Sequence, residues 1–251
     1  MLTLLPNGDL VSGSYDWTII VWSLIEGKIK KTLTGHTDSI SAFAVLKNGD
    51  LVSGSLDKTI KVWSYADGFK LKKTLTGHRG GIRALVLLAS GDLVSACDDK
   101  QIKVWDVNSG AEKKTIRGDI GTTFCMCLLT NGFLACGCDD NTIKIWNLNS
   151  GVLVRTLEGH TDLVRSVLLH PNGSLVSASL DRTINVWDVN AGVEKTTISN
   201  THAGIINALV LLQSGEIASA SDDKSVKIWD LHGLSSGYSS ASSSSFSSSC
   251  L

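Results

Sequence analysis

The sequence predicts an all-β chain built from six copies of one four-stranded unit. Three observations carry that expectation. The first is the spacing of tryptophan: Trp22, Trp63, Trp105, Trp146, Trp187 and Trp229 lie 41, 42, 41, 41 and 42 residues apart. The second is a histidine 27 residues before a Trp, at His36, His78, His160 and His202, with Asp119 in the same place before Trp146. The third is an aspartate six residues before every Trp, at Asp16, Asp57, Asp99, Asp140, Asp181 and Asp223. Three residue types held in phase over six copies mark an internal repeat.

Residues 40–76 show how one copy divides. Ile40 to Leu46 is an apolar run, and Asn48-Gly49 reads as a tight two-residue turn. Leu51 to Ser55 is a second strand, closed by the turn Leu56-Asp57-Lys58. Thr59 to Trp63 alternates β-branched and polar residues as a third strand, and Lys70 to Leu75 comes next as a fourth. Asn-Gly or Ser-Gly between apolar runs is a strong hairpin signal. No segment sustains an apolar stripe at a 3.6-residue period, so helix should be nearly absent. Four antiparallel strands in about 40 residues, repeated, form a β-propeller blade. The repeat covers residues 1–231, and its last blade lacks an outer strand. Residues 232–251 read as a flexible, serine-rich tail, with 11 Ser between positions 235 and 249.

Gly35-His36, Gly77-His78 and Gly159-His160, with Trp105-Asp106, Trp187-Asp188 and Trp229-Asp230, resemble the WD-repeat family. The resemblance implies a fold far more firmly than a function. It also implies a hydrogen-bonded network inside the blade. Carried over, the network is His36, Ser53, Asp57 and Trp63 in blade two, and His78, Ser95, Asp99 and Trp105 in blade three. It is His160, Ser177, Asp181 and Trp187 in blade five, and His202, Ser219, Asp223 and Trp229 in blade six. A buried indole N–H needs an acceptor, and a buried imidazole needs its tautomer fixed. The same residues could spell a Ser-His-Asp triad. Four copies of nearly the same set fit scaffolding better than an active site.

Blade four departs from the pattern. Asp119 replaces the His and Cys136 replaces the Ser, so Asp119 should lie near Asp140 and repel it. Cys125, Cys127, Cys136 and Cys138 all fall in this blade. With a two-residue turn at Asn131-Gly132, 125 faces 138, 127 faces 136, and all four share one face. Blade two holds Ala42, Ala44, Ser53 and Ser55 at these positions, which favours buried free thiols over a disulfide or zinc. Two cross-strand pairs make a flat rectangle, whereas zinc takes a tetrahedron. Cys97 stands at a Ser position in blade three. No metal or other cofactor is expected.

The resemblance further implies that partners bind where the loops before the first strand and between the second and third strands open. Five residues after each His position stand Ser41, Arg83, Phe124, Arg165 and Asn207. Arg83 and Arg165 flanking Phe124 would clamp an acidic, phosphorylated or C-terminal carboxylate peptide. The plainer reading pairs each Arg with a local acid such as Asp162 or Asp38. Tyr15, Leu56 and Leu180 precede turn aspartates, and Trp17 comes directly after one where other copies place Lys, Asn or Arg. Tyr15, Trp17 and Leu56 could form an apolar patch of hot-spot composition, or Trp17 could fold over its own turn.

A net charge of −1, from 23 basic and 24 acidic residues, argues against nucleic-acid or membrane partners held by bulk charge. Lys28 to Lys31, Lys70 to Lys73 and Lys113-Lys114 fall on outermost strands, where Lys discourages strand addition or forms a basic wall. Unpaired Cys and the lack of a secretory signal at Met1 point to a reducing, cytoplasmic setting. No outer strand comes after Trp229, and Met1 aligns one residue past Arg83. The expectation is a chain that belongs to a longer sequence, with at least one more strand, up to a whole seventh blade, upstream. Left uncovered, the Trp229 strand should promote association. The functional expectation is a non-catalytic scaffold for protein or peptide partners, with no small-molecule substrate. The alternative is a recognition or regulatory propeller of a larger enzyme or ubiquitin-ligase complex, of which this chain is a fragment.

Overall fold

The computed structural model describes residues 1–199, 201–231 and 246–247. The chain divides into two compact units, Met1–Thr123 and Phe124–Leu251. All described regular structure is strand. The first unit holds three antiparallel sheets whose strand order matches the sequence order. The first sheet is β1 (Leu2–Leu4), β2 (Leu10–Gly13), β3 (Ile19–Ser23) and β4 (Lys28–Leu33). The second is β5 (Ile40–Val45), β6 (Leu51–Ser55), β7 (Ile60–Ser64) and β8 (Lys70–Leu75). The third is β9 (Ile82–Leu87), β10 (Leu93–Cys97), β11 (Ile102–Trp105) and β12 (Glu112–Ile116).

The second unit repeats the plan. Its first sheet is β13 (Thr123–Leu128), β14 (Leu134–Cys138), β15 (Ile143–Asn147) and β16 (Val152–Leu157). Next come β17 (Val164–Leu169), β18 (Leu175–Ser179), β19 (Ile184–Asp188) and β20 (Val193–Ile198). The last sheet has three full strands, β21 (Ile206–Leu211), β22 (Ile217–Ser221) and β23 (Ser225–Trp229). Beside β23 lies only the two-residue β24 (Phe246–Ser247), which pairs Val226 with Phe246 and Ser225 with Ser247. The rest of the serine-rich tail lies outside the described residues.

Packing explains why the middle strands lose their alternation. Within each unit, neighbouring sheets bury apolar residues against one another. Val11, Val21 and Leu33 of the first sheet meet Leu51, Trp63 and Phe43 of the second. Leu129, Ile143 and Leu157 of the fourth meet Val164, Leu175 and Trp187 of the fifth. β6, β10, β14 and β18 are therefore buried along their whole length. The outer strands carry exposed or half-buried residues along most of their length, and in the first four sheets a buried apolar residue closes the strand, at Leu33, Leu75, Ile116 and Leu157.

The hairpin turns are longer than the Asn-Gly signal suggests. Leu46 N–H donates to the Asp50 carbonyl and Gly49 N–H to the Leu46 carbonyl, which leaves three residues in the loop. Gly49 takes a φ of 86°, the left-handed region this loop type requires. In the fourth sheet Leu129 bonds Phe133 in the same way. That register sets Cys125 opposite Gly137 and Cys127 opposite Ala135, not opposite the other two cysteines. A Cβ on Gly137 would meet the Cys125 Sγ. Cys125 and Cys127 pack in the cluster shared with the fifth sheet. Cys136 and Cys138, one register step away, point to the opposite face. The four thiols do not share a face, and the flat rectangle is replaced by two separate pairs, Cys125 and Cys127 partly buried and Cys136 and Cys138 buried. All five described cysteines are free.

The junctions between sheets are tight at one repeated glycine. A Cβ on Gly54 would stand 2.5 Å from Ile82 Cγ2 and 3.1 Å from Ile82 Cβ, and Ile82 is fully buried. Gly54→Ala is expected to lower the free energy of unfolding by about 1–3 kcal/mol, the usual cost of overpacking. Urea titration measures it, and an unchanged midpoint would show the junction to be slack.

Candidate functional site

The side chains at the expected partner positions are aimed by two local devices. The first is a β-bulge in the first strand of a blade. The pairing skips Ser41, Arg83, Arg165 and Asn207, each of which stands opposite no partner. A bulge turns one side chain out of the sheet's alternation. The second device is the turn between the second and third strands. Its last residue has positive φ in every copy: Trp17 at 74°, Lys58 at 72°, Lys100 at 58°, Asn141 at 71°, Arg182 at 69° and Lys224 at 66°. A non-glycine residue there is strained, most of all a bulky one.

In the first unit, Trp17 is 51% exposed and Tyr15 is 84% exposed. Half of the Trp17 surface therefore faces solvent. Leu56 is half-buried, with its side chain close to Gly81. The Ser41 hydroxyl donates to the carbonyls of Gly54 and Ile82. Arg83 forms a bidentate pair with Asp98, Nε to Oδ1 at 2.7 Å and Nη2 to Oδ2 at 3.0 Å. Asp98, rather than Asp38 or Asp162, is the local acid for Arg83, and it immediately precedes the turn aspartate Asp99.

In the second unit, the Arg165 guanidinium lies 5.9 Å above the centroid of the Phe124 ring. Asn207 Nδ2 donates to Asp222 Oδ1 at 2.5 Å. Asp222 holds the position that Asp98 holds in its own blade. In the fifth sheet that position is Leu180, so Arg165 has no equivalent acid and rests on the aromatic ring instead. Phe124 and Arg165 are brought together, while Arg83 pairs with Asp98.

The repeated polar residues form the network the resemblance implied. His36 Nδ1 lies 2.7 Å from Asp57 Oδ2 and its Nε2 2.7 Å from Ser53 Oγ, while Trp63 Nε1 donates to the same Oγ at 2.9 Å. The other three copies repeat these contacts. The His–Asp distance is 3.2 Å for His78 and 2.8 Å for His160 and His202. Trp105, Trp187 and Trp229 each reach their serine at 2.8 Å. One proton assignment satisfies every group. The Nδ1–H donates to the carboxylate, the serine O–H donates to Nε2, and the serine oxygen accepts the indole N–H. Each serine is fully buried or nearly so and is engaged twice, so none is placed to attack a substrate.

Blade four has lost two members of the network, and the loss falls unevenly on the rest. Trp146 Nε1 is buried and, among the described residues, has no hydrogen-bond partner. Asp140 does not face an unrelieved repulsion, because Lys144 Nζ stands 2.5 Å from its Oδ2. Burial pushes the Asp140 carboxyl up, but hydrogen bonds from Lys144 and Thr142 outweigh it and hold its pKa below the ordinary value. Asp119 is exposed. Buried lysines such as Lys61, Lys103 and Lys144 escaped the sequence reading, since a Lys in an alternating strand reads as solvent-facing.

Among the described residues, His78, Cys97 and Asp99 are the one group of potential metal ligands whose donor atoms lie within 4.8 Å of one another. Each is already engaged. Cys97 Sγ is 3.0 Å from His78 Nδ1 and accepts the Asp99 N–H at 3.2 Å. Burial pushes the Cys97 thiol up to about 12, which keeps it protonated. The cluster reads as the blade-three version of the repeated network.

The family model described as WD domain, G-beta repeat matches residues 2–23, 27–64, 69–106, 111–147, 151–188 and 193–230. No curated protein matches the chain.

The network carries two expected outcomes. Ser177→Ala removes the acceptor of Trp187 and the donor to His160, and is expected to cost about 1–3 kcal/mol. Cys136→Ser restores an acceptor beside Trp146 and is expected to add about 1 kcal/mol. Equal urea midpoints for the two variants would refute the assignment. The second outcome concerns pH. Burial holds the pKa of His36 and His78 below the ordinary histidine value of 6.5. The unfolded chain therefore binds those protons more readily. This contribution is complete above about pH 6.5 and is lost as pH falls through that value toward the lower folded pKa. Asp57 adds a second loss at lower pH, since burial raises it but hydrogen bonds from Thr59, Thr37 and His36 prevail and lower it. The melting temperature should fall between about pH 7 and 5 and again below about pH 4; a rise toward pH 5 would contradict this.

Proposed function

Because the chain belongs to the WD-repeat family of β-propellers, we propose that it is a non-catalytic scaffold holding peptide or protein partners on its loop face. Trp17 is the observation that carries this reading. A bulky aromatic in the left-handed region costs about 1–2 kcal/mol, and half its surface still faces solvent. Strained, exposed residues of this kind belong to binding sites more often than to cores. Trp and Tyr close together in sequence are the residue types that dominate binding energy at protein interfaces.

Arg165 gives the proposal its chemical class. A guanidinium over an aromatic ring, with no acid paired to it among the described residues, suits a partner carboxylate or phosphate. The polar residues that could serve catalysis are buried and spent on one another. The five free thiols support an intracellular setting.

Affinity capture with the wild-type chain, Trp17→Ala and Arg165→Ala tests the reading. Each variant should lose bound polypeptide, and full capture by both would remove both loops from the reading. Trp17→Asn separates binding from stability, since Asn141 already occupies the equivalent position. It should bind less while raising the free energy of unfolding by up to about 1 kcal/mol. A destabilised Trp17→Asn would show that Trp17 serves the fold.

A further inference from the structure

Within each unit, the junction between neighbouring sheets is made of two unlike faces. Where the fifth sheet meets the sixth, Val176, Ile184 and Val186 of one pack on Ile206, Ile217 and Trp229 of the other. The first of these faces recurs one repeat later on the sixth sheet itself, as Ala218, Val226 and Ile228. The second recurs on the first sheet, as Leu10 and Trp22 with Leu2 and Leu4 beside them. Both recurrences lack the cover their counterparts have. Val226 is 42% exposed where Ile184 is 1% exposed, and Val210 on the adjoining strand is 56% exposed. Leu2 and Leu4 are 65% and 59% exposed, whereas their counterparts Phe43 and Val45 pack into a core cluster. Trp22 is the one repeated tryptophan that is not fully buried.

The uncovered positions carry no charge. Ile20 stands in β3 where the other third strands place Lys61, Lys103, Lys144, Asn185 or Lys227. Exposed apolar surface of this continuity marks an interaction site. The repeat itself shows the cover that would fit, because each exposed face matches the kind that covers the other in the junctions within each unit.

We propose that a second copy of this chain supplies the missing cover, with the first sheet of one copy seated on the sixth sheet of another as one more blade junction. Such contact is head-to-tail and heterologous, so the two copies use different surfaces. It is independent of the loop face and of any partner bound there.

Two double variants test this with the full chain. Leu2→Glu with Leu4→Glu charges one face, and Val210→Glu with Val226→Glu charges the other. All four side chains are exposed, so folding should survive, which near-ultraviolet circular dichroism would verify. In sedimentation velocity, wild-type mass should rise with concentration, and each variant alone should stay monomeric. An equal mixture of the two should form a dimer and nothing larger, since each copy keeps one good face. The proposal is overturned if the wild type stays monomeric at every concentration. It is equally overturned if the mixture stays monomeric, or if either variant assembles as the wild type does.

Discussion

The hydrogen bond from each buried indole N–H to a serine on the neighbouring strand sets the rest of the blade in place. Burying a Trp in a dry junction is costly unless its N–H is satisfied, and the serine oxygen does that in five copies, including Trp22 to Ser12 at 2.8 Å. Where a His is present, the serine proton then goes to Nε2, which fixes the tautomer and leaves Nδ1–H for the turn aspartate. The aspartate also accepts a backbone N–H from the residue after the His, as from Thr37, Thr161 and Ala203. One chain of donors thus joins the third strand, the second strand, the turn between them and the loop before the first strand. Blade four has lost the middle of that chain. Its Asp140 has been taken over by Lys144, and its Trp146 N–H has found no substitute among the described residues, which shows that the carboxylate can change partners more readily than the indole can.

The architecture was legible because this network demands the same atoms at the same spacing in each copy. Trp, His and Asp therefore recur as three rulers, and the strands between them fall into place. The turn was misread. Asn48-Gly49 suggested a two-residue hairpin, but the Asn48 side chain accepts the Asp50 N–H, and the loop closes between Leu46 and Asp50 instead. A slip of one residue in register exchanges the two faces of a strand. That is why four cysteines assigned to one face divide between two. The signal was present in Leu46 and Asp50, which flank the loop as a pair. Buried Lys103 was missed for a different reason. Its charge is matched by Glu112 and Thr115 on the neighbouring outer strand, and cross-strand pairing is not written in the local sequence.

The expected partner positions were legible as places of variation, and the backbone explains why they vary. A bulge residue and a left-handed turn residue have their conformation imposed by the hydrogen bonds around them. The turn holds nearly the same φ whether it carries Trp17, Asn141 or Arg182. Side chains at such positions are free to differ without changing the strand pairing. The sequence could not say which of them remain uncommitted, because that depends on a second residue across the loop.

That second residue is the one before the turn aspartate. Where it is an acid and the bulge residue carries a donor, it captures that residue: Asp98 holds Arg83 in two hydrogen bonds, and Asp222 holds Asn207. Where it is leucine, the bulge residue turns elsewhere. Beside Leu56 the Ser41 hydroxyl serves backbone carbonyls, and beside Leu180 the Arg165 cation rests on Phe124. For the two arginines, the acid-or-leucine choice at this position therefore decides whether the loop presents a neutralised pair or an available charge. Leu180 acts on the loop face through what it withholds from Arg165, since an aspartate there would be expected to close the same fork that Asp98 closes on Arg83.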